Sequence, residues 1–216
     1  MTEKEIAELI QNELIHKSWG FTEQISELHS PLYNKDDSIQ IENITSDHDE
    51  QTVYVPLLNE SFYLTFYINS EKKEITGIST EPQILIYFKA ISENMNCSEL
   101  KKMTLLEISE SWNKGDQKKS QTGSYHFSGI KIESDKKPDR FEKKMEAFLS
   151  KLQKDRNGII QLSQLAETTI QVLIDFHNGN GLLGGPFLSK NNIKQLADLN
   201  LSVDFDLYVS GKQYIS

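Results

Sequence analysis

The amino-acid sequence predicts an α+β fold, in which a small helix-plus-hairpin N-terminal subdomain precedes a mixed or antiparallel sheet with helices packed on one face. Three observations lead to this prediction. A capped amphipathic helix opens the chain, two segments with alternating apolar residues follow it, and strands alternate with helices after Pro82. We therefore divide the chain into an acidic subdomain, residues 1–81, and an α+β domain, residues 82–216.

A helix opens the acidic subdomain. Thr2 and Glu5 have the spacing of a capping box, in which each side chain accepts a hydrogen bond from the other residue's backbone N–H. The apolar residues behind it recur at the spacing of one helical face: Ile6, Leu9, Ile10 and Leu14. Gly20 is expected to end this region. The polar stretch from about residue 23 to residue 50 predicts loops, including Asp36-Asp37 and Asp47-His48-Asp49-Glu50, with one strand at most near Ile39, Ile41 and Ile44.

Two alternating segments then predict a β-hairpin. In the first, Phe62, Leu64, Phe66 and Ile68 alternate with Tyr63, Thr65 and Tyr67, which gives the strand one apolar face and one aromatic, polar face. Residues 69–73 form the turn, and the return strand contains Ile75 and Ile78. The pair Glu81-Pro82 ends the subdomain, because a residue before proline is disfavoured in a helix.

The second domain begins with an apolar strand and continues with alternating helices and strands. Residues 84–91 are apolar on both faces, as in a central strand, and Asn96 with Glu99 marks a helix start. A strand through Tyr125 and Phe127 is expected to change its inward parity at Gly129, which predicts a β-bulge. Pro138 opens the strongest helix, whose apolar face is Phe141, Met145, Phe148, Leu149 and Leu152.

Two strands and a helix complete the prediction. The buried face of the first strand is expected at Ile170, Val172, Ile174 and Phe176. Ser189 caps a helix that turns Ile193, Leu196 and Ala197 inward. In the last strand Val203, Phe205, Leu207 and Val209 alternate with Ser202, Asp204, Asp206 and Tyr208.

Charge is distributed unevenly along the chain. The formal net charge is −9 and the isoelectric point is near 5.1, which argues against non-specific nucleic-acid binding. Residues 1–81 contain 16 acidic residues and 5 lysines, a net −11, whereas residues 82–216 contain 16 acidic and 18 basic residues, a net +2. The first third therefore carries the whole negative excess, which suits either a solubilising surface or an electropositive partner.

The composition points to a reducing compartment. The single cysteine, Cys97, excludes an intramolecular disulfide framework. No apolar run approaches the roughly 20 residues of a membrane span, and the first residues lack the basic start and apolar core of a signal peptide. We expect a cytoplasmic protein that binds no membrane.

Catalytic and ligand motifs are weak. Residues 179–184 match G-x-G-x-x-G, but the following Gly185-Pro186 and the late helix start at Ser189 argue against a nucleotide site. Histidines and aspartates lack a recognisable metal-ligand spacing, and no cofactor is expected. Residues 131–156 interleave 9 basic with 6 acidic residues, which is typical of a solvated helix face. The paired carboxylates Asp204 and Asp206, with Tyr208, leave a small-ligand site or an uncharacterised enzyme as an alternative.

The second domain resembles a bacterial family, the domain of unknown function 4279, over about residues 84–209. The segments that carry the resemblance are the strand 85–91, the helix with Glu99-Leu100, Glu110-Ser111-Trp112-Asn113-Lys114-Gly115-Asp116 followed by Tyr125-His126-Phe127, Gly185-Pro186-Phe187-Leu188-Ser189, and residues 193–208. The resemblance implies a compact α+β domain with no established activity and no catalytic residues. It also implies a role for some members as immunity proteins encoded near toxin genes.

These observations favour a non-catalytic protein-binding module, more specifically an immunity protein that neutralises an electropositive cognate toxin. An acidic surface can cover the cationic active site of such a toxin. Trp112 lies beside a turn, where a tryptophan serves either as a core anchor or as an interface anchor. The expected partner interface consists of Asp36, Asp37, Asp47, Asp49 and Glu50 with Trp112 and an exposed Tyr63 or Tyr67.

Overall fold

The structure is a computed structural model that describes residues 1–118, 123–179 and 184–213. It contains two sheets, one in each part of the chain. The chain changes sheet between Glu81, the last residue of one strand, and Gln83, the first residue of the next. We call residues 1–81 the acidic unit and residues 82–216 the C-terminal unit; their division into two domains stays a prediction.

The acidic unit is a four-stranded antiparallel sheet with two helices against one face. Its sheet order is β1-β2-β3-β4. The elements are α1 (Glu3–His16), α2 (Gly20–Leu28), β1 (Asn43–Asp47), β2 (Glu50–Pro56), β3 (Tyr63–Asn69) and β4 (Glu74–Glu81).

The C-terminal unit is a five-stranded sheet of order β6-β7-β5-β8-β9, in which only the pair β8 and β9 is parallel among the described strands. The α+β fold class is therefore confirmed. The elements are β5 (Gln83–Ser92), α3 (Cys97–Lys101), β6 (Glu110–Trp112), β7 (Ser128–Glu133), α4 (Phe141–Gln153), α5 (Arg156–Leu165), β8 (Glu167–His177), α6 (Lys190–Asp198) and β9 (Ser202–Ser210). None of the described helices is long and apolar enough to cross a bilayer.

The predicted start of the first helix is confirmed. The Thr2 hydroxyl accepts a hydrogen bond from the Glu5 N–H at 3.2 Å, and the Glu5 carboxylate accepts one from the Thr2 N–H at 2.7 Å. The helix ends at His16, and Lys17 follows it in the left-handed conformation with φ 49°. The buried face includes Ile6 and Ile10, which pack in the same core as Phe66 of β3.

Two elements of the acidic unit differ from the prediction. Gly20 does not end a helix but begins α2, whose start is held by the buried Glu13 carboxylate; it accepts hydrogen bonds from the Trp19 N–H at 3.1 Å and the Thr22 hydroxyl at 2.6 Å. A second hairpin, β1–β2, precedes the predicted one. Residues 53–55 of β2 are buried on both faces, so they show no alternation in the sequence.

The C-terminal unit has its own apolar core between the sheet and its helices. The strand predicted at residues 84–91 is confirmed as β5, and so is its central position in the sheet, since it lies between β7 and β8. All five predicted apolar residues of α4 are buried against the strands. Helix α5 was not predicted; it begins at a side-chain cap, where the Asp155 carboxylate accepts a hydrogen bond from the Gly158 N–H at 3.3 Å.

Two packing predictions for this unit are wrong. β7 begins only at Ser128, so Tyr125 and Phe127 precede the strand, and the register between β5 and β7 is continuous at Gly129, so no bulge occurs there. Gly129 instead makes room for an indole, because a Cβ on it would lie 2.4 Å from Cζ2 of Trp112. On α6, Ile193 is 55% exposed and Ala197 is exposed, whereas Asn192, Leu196 and Leu199 face the core. The predicted burial of Leu196 is confirmed, but the helix is rotated so that Ile193 and Ala197 face away from the core.

The two units touch through polar and aromatic contacts. Arg140 donates to the Asp47 carboxylate at 2.7 Å, and the Asn43 side-chain amide donates to the Pro138 carbonyl at 2.8 Å. Phe62 of the acidic unit stacks on His177 of β8 with ring centroids 4.5 Å apart. The start of α4 and the end of β8 thus contact the acidic unit.

Candidate partner interface

The turn that carries Asp36 and Asp37 is exposed and ordered. The Asn34 N–H donates to the Ser38 carbonyl at 2.8 Å, which closes the turn, and Asp37 adopts φ 62° within it. The Asp36 carboxylate accepts hydrogen bonds from the Ser38 hydroxyl at 2.7 Å and the Ser38 N–H at 3.3 Å. Both hydrogen bonds favour the ionised carboxylate, the one from the hydroxyl most strongly, and they hold the pKa of Asp36 below its ordinary value. The carboxylate is therefore fixed in position and ionised at neutral pH.

This turn forms one wall of a groove beside α1. The groove has a volume of about 400 Å³, and the Gln11 amide bridges its two walls by donating to the Asp37 carbonyl at 2.9 Å. Its rim carries the exposed carboxylates of Glu3, Glu8 and Asp36, with Lys4 3.9 Å from Glu8. We call it the acidic groove; it is lined by Glu3, Lys4, Ala7, Glu8, Gln11, Asn34, Asp36, Ser38, Ile39 and Ile41. Carboxylates around an apolar interior suit a long cationic side chain.

The second acidic cluster is the tip of the β1–β2 hairpin, where Asp49 and Glu50 are exposed. The Asp49 carbonyl accepts hydrogen bonds from the N–H and the hydroxyl of Ser70, at 2.9 and 3.0 Å. These bonds tie the tip to the neighbouring β3–β4 turn. The tip therefore presents its charges from a fixed backbone.

Asp47 differs from the other four acidic residues of the expected interface. Its carboxylate is bound by Arg140, and that hydrogen bond, followed by the charge of the guanidinium, lowers the pKa of Asp47. Part of its charge is thus neutralised within the chain. Asp47 joins the two units, and its side chain remains about half exposed.

The tyrosines are less accessible than the alternation suggested. Tyr63 is only 9% exposed, so the expectation that it is exposed is wrong. It lies on an interior strand and packs edge-to-face against Tyr54 with centroids 6.0 Å apart, and burial raises its pKa. Tyr67 is half-buried, its hydroxyl donates to the Glu81 carboxylate at 2.7 Å, and burial followed by the charge of Glu81 raises its pKa. The aromatic face of β3 thus lies largely inside the molecule.

Trp112 is half-buried on β6, where it covers Gly129 and stacks on Tyr125 with centroids 4.9 Å apart. The turn that follows it is held by its own polar groups. The Asp116 carboxylate accepts a hydrogen bond from the backbone N–H of Asn113 at 2.7 Å. The side-chain oxygen of Asn113 in turn accepts one from the Cys97 N–H at 3.0 Å. The segment Trp112-Asn113-Lys114-Gly115-Asp116 therefore builds a hairpin turn and fixes the start of α3.

The alternative set, Asp204, Asp206 and Tyr208, lies on β9 at the edge of the second sheet. Asp204 and Tyr208 are exposed, and Asp206 accepts a hydrogen bond from the Gln171 amide at 2.9 Å. The three side chains lie along an open strand, and no convergent arrangement of acid and base is evident among them.

Of the glycine-rich segment, residues 180–183 lie outside the described residues. The helix after it begins at Lys190, with Ser189 as its cap, so its start falls where the sequence placed it. Within the described parts of the chain, no group of three or more His, Cys, Asp and Glu side chains is placed to hold a metal ion.

Sequence reasoning missed two features where the units meet. A cavity of about 410 Å³ lies between β4, the start of α4 and the end of β8, with Thr80, Arg140 and Phe176 among its lining. Nearby, the buried His29 lies 3.0 Å from the Glu60 carboxylate and 5.0 Å, centroid to centroid, from His177. The His177 ring is hydrogen-bonded to the Lys212 carbonyl at 2.9 Å. His177 is buried in the structure, although the apolar alternation of its strand places it on the face opposite Ile174 and Phe176, so nothing in the sequence signalled this burial.

Comparison with known proteins gives one finding. The family model described as domain of unknown function (DUF4279) matches residues 80–210, which include β5 to β9, and no family match covers the rest of the acidic unit. No curated protein and no solved structure matches the chain significantly. The matched segment spans more than half of the 216 residues, and the chain belongs to the DUF4279 family.

Proposed function

We propose that this chain is a non-catalytic protein-binding module whose acidic unit binds an electropositive protein. The observation that carries the proposal is the presence of exposed carboxylates on hydrogen-bonded turns, around the acidic groove and at the β1–β2 tip. The Asp36 carboxylate is held by hydrogen bonds and the other carboxylates extend from a fixed backbone, so they lose less conformational freedom on binding and more of the interaction energy appears as affinity.

The charge of the acidic unit supports this partner class. Ion pairs with lysine or arginine neutralise only part of the negative charge of this unit, at Glu5, Glu8, Asp47 and Glu74. The residues proposed to bind the partner, Asp36, Asp37, Asp49 and Glu50, are all exposed. A surface of one sign steers an oppositely charged partner during encounter and disfavours partners of the same sign.

The most specific form of the proposal is an immunity protein that occludes a cognate toxin. The resemblance to the family, which implies that some members encoded near toxin genes are immunity proteins, suggests this role, and the acidic surface suggests a toxin with a cationic active site. An arginine or lysine from such a site would enter the acidic groove, with its aliphatic stem between Ala7, Ile39 and Ile41 and its charge at the rim.

Two charge-reversal variants distinguish binding through this surface from a general effect of net charge. The interface variant replaces Asp36, Asp37, Asp49 and Glu50 with lysine and leaves Asp47 in place, because Asp47 holds Arg140. The matched control replaces four exposed carboxylates of the C-terminal unit with lysine: Glu93, Glu107, Glu146 and Asp198. Both changes shift the net charge by the same amount.

The test is capture of the product of the neighbouring gene from the native host, followed by co-expression with that product. We expect the wild-type chain and the control variant to retain it at low salt and to relieve its toxicity, and the interface variant to do neither. No retained gene product at low salt, or equal retention by the two variants, would contradict the proposal.

A further inference from the structure

The second sheet ends in a long strand, β9, whose outer edge is open among the described strands. β9 pairs with β8 along its whole length, and no described strand lies on its other side. Alternate backbone N–H and C=O groups of such an edge strand point outward and are available to another chain. Native proteins usually shorten, cover or bend such edges, whereas this one runs for nine residues.

The apolar side chains of β9 are only partly used by the core. Phe205 packs on Phe141 of α4 with centroids 5.8 Å apart, and Val203 also contacts the core. Further along the same face Leu207 is 59% exposed and Val209 is 54% exposed. The C-terminal half of the strand therefore offers an apolar surface beside its open edge.

The opposite face of this edge is acidic. Asp204 and Asp206 lie there, and β8 and β9 together contain four carboxylates and no lysine or arginine: Glu167, Asp175, Asp204 and Asp206. The basic strand residues lie further across the sheet, at Lys89 of β5 and Lys131 of β7. The negative charge is thus concentrated at the edge where a further strand would pair.

We propose that β9 is a docking edge for an extended segment of a partner protein in which basic and apolar residues alternate. The segment adds a sixth strand to the sheet by main-chain hydrogen bonds. Its lysine or arginine side chains lie beside Asp204 and Asp206, and its apolar side chains cover Leu207 and Val209. This surface lies on a different unit from the acidic groove, so the proposal does not depend on the proposed function.

Charge argues for this occupant over a second copy of the chain. In an antiparallel pair of two β9 strands centred on Asp206, that carboxylate opposes its own copy. In a register centred on Phe205, Asp204 opposes Asp206 of the other copy. Like charges directly opposite each other destabilise a strand pair, whereas a segment of alternating basic and apolar residues is attracted in each register that turns its basic side chains to the face of Asp204 and Asp206. A register centred on Leu207 avoids the clash, and the experiment includes it.

The probe is a fluorescein-labelled nine-residue peptide of alternating lysine and valine, titrated with the full chain and followed by fluorescence anisotropy. We expect it to bind at least tenfold more tightly than the glutamate–valine peptide. Replacing Asp204 and Asp206 with lysine should weaken binding at least tenfold, while the control Glu93→Lys with Glu146→Lys should not. Of two peptides N-methylated at alternate sets of amides, one should retain binding and the other should lose it, because only one set faces β9.

Three results would overturn the proposal. Equal binding of the lysine and glutamate peptides would remove the charge argument, and equal binding of the two N-methylated peptides would exclude main-chain pairing. A dimer in light scattering that becomes a monomer on Leu207→Asp would assign the edge to a second copy. Circular dichroism and the thermal midpoint of each variant establish that the variant is folded.

Discussion

The acidic unit and the C-terminal unit use their polar side chains differently. In the acidic unit, exposed carboxylates stand on hydrogen-bonded turns: the Asp36 carboxylate accepts hydrogen bonds from Ser38, and the backbone of the hairpin tip that carries Glu50 is bound by Ser70. In the C-terminal unit, two aspartates instead accept hydrogen bonds that hold the fold of the unit itself. Asp116 closes a hairpin turn, and Asp155 accepts hydrogen bonds from the Thr104 hydroxyl and the Leu105 N–H, both at 2.7 Å.

This difference separates what the family shares from what this chain adds. The segments by which the chain resembles its family build turns, caps and a packed sheet, so they account for a fold. The charge that would select an electropositive partner lies mainly in residues 1–81, outside the matched region except at its last residues. Family membership therefore describes the scaffold, and the proposed partner specificity belongs to the acidic unit.

The prediction with the largest expected effect concerns whether the two units unfold together in a single transition. Phe66→Ala and Phe148→Ala each remove a fully buried ring from one unit's core, and each should lower the free energy of unfolding by about 3–5 kcal/mol. Because Phe62, His29 and His177 pack across the boundary, we expect both units to unfold in a single transition. Urea unfolding followed through Trp19 in a Trp112→Phe chain and through Trp112 in a Trp19→Phe chain measures the two units separately. A shift confined to the mutated unit would show that the units are independent.

A matched pair of lysines tests the packing of α4. Lys144 is 6% exposed, and its ammonium donates to the carbonyls of Asp135 at 2.8 Å and Lys137 at 2.6 Å; burial lowers its pKa. The solvated face predicted for this helix is therefore wrong at Lys144. Lys144→Ala should lower the free energy of unfolding by about 2–4 kcal/mol, because it leaves two carbonyls without their donor. The exposed neighbour gives the control: Lys143→Ala should change it by about 0.5 kcal/mol or less, and equal effects in urea unfolding would refute this contact.

The role of Trp112 is tested through Gly129. Gly129→Ala places a Cβ against the indole and should cost about 1–3 kcal/mol of unfolding free energy. In a Trp19→Phe background the indole emission should also move to longer wavelength, because the ring is displaced toward water. Gly20→Ala is the control, since nothing lies within 4 Å of the added Cβ. Unchanged emission in Gly129→Ala would mean that Trp112 is not held by this stack.

The junction predicts a pH dependence of stability. Burial lowers the pKa of His177 below its ordinary value near 6.5, so the unfolded chain binds a proton at a higher pH than the folded chain. Stability from this group is complete above pH 6.5 and is lost as the pH falls toward the folded pKa. His29 and Glu60 are the titratable groups that face it. Urea unfolding at pH 7 and pH 5 should show a smaller loss in His177→Gln than in the wild type, and equal losses would contradict this origin.

The elements that local pattern specifies were predictable, and those that depend on distant contacts were not. The start of α1 and the buried face of α4 follow from spacing alone. The start of α2 depends on Glu13, seven residues earlier, and the orientation of α6 depends on a core that buries Asn192 in place of Ile193. Exposure at Asp36 and Asp49 could be predicted from turn composition. The burial of Tyr63 and the engagement of Asp47 could not, because Tyr63 packs against Tyr54 of the neighbouring strand and Asp47 binds Arg140 of the other unit, contacts that local sequence does not specify.

The most direct test of the central claim is a titration of the captured partner with the two quadruple charge-reversal variants by calorimetry. Both variants should remain folded because the replaced residues are exposed, and loss of the two Ser38 hydrogen bonds to Asp36 should lower the unfolding free energy of the acidic-unit variant by about 1–2 kcal/mol. We expect reversal at Asp36, Asp37, Asp49 and Glu50 to weaken binding about a hundredfold or more, and the matched reversal in the C-terminal unit to change it little. Retained binding by the acidic-unit variant, with loss in the C-terminal variant, would place the interface on the family domain and contradict the account.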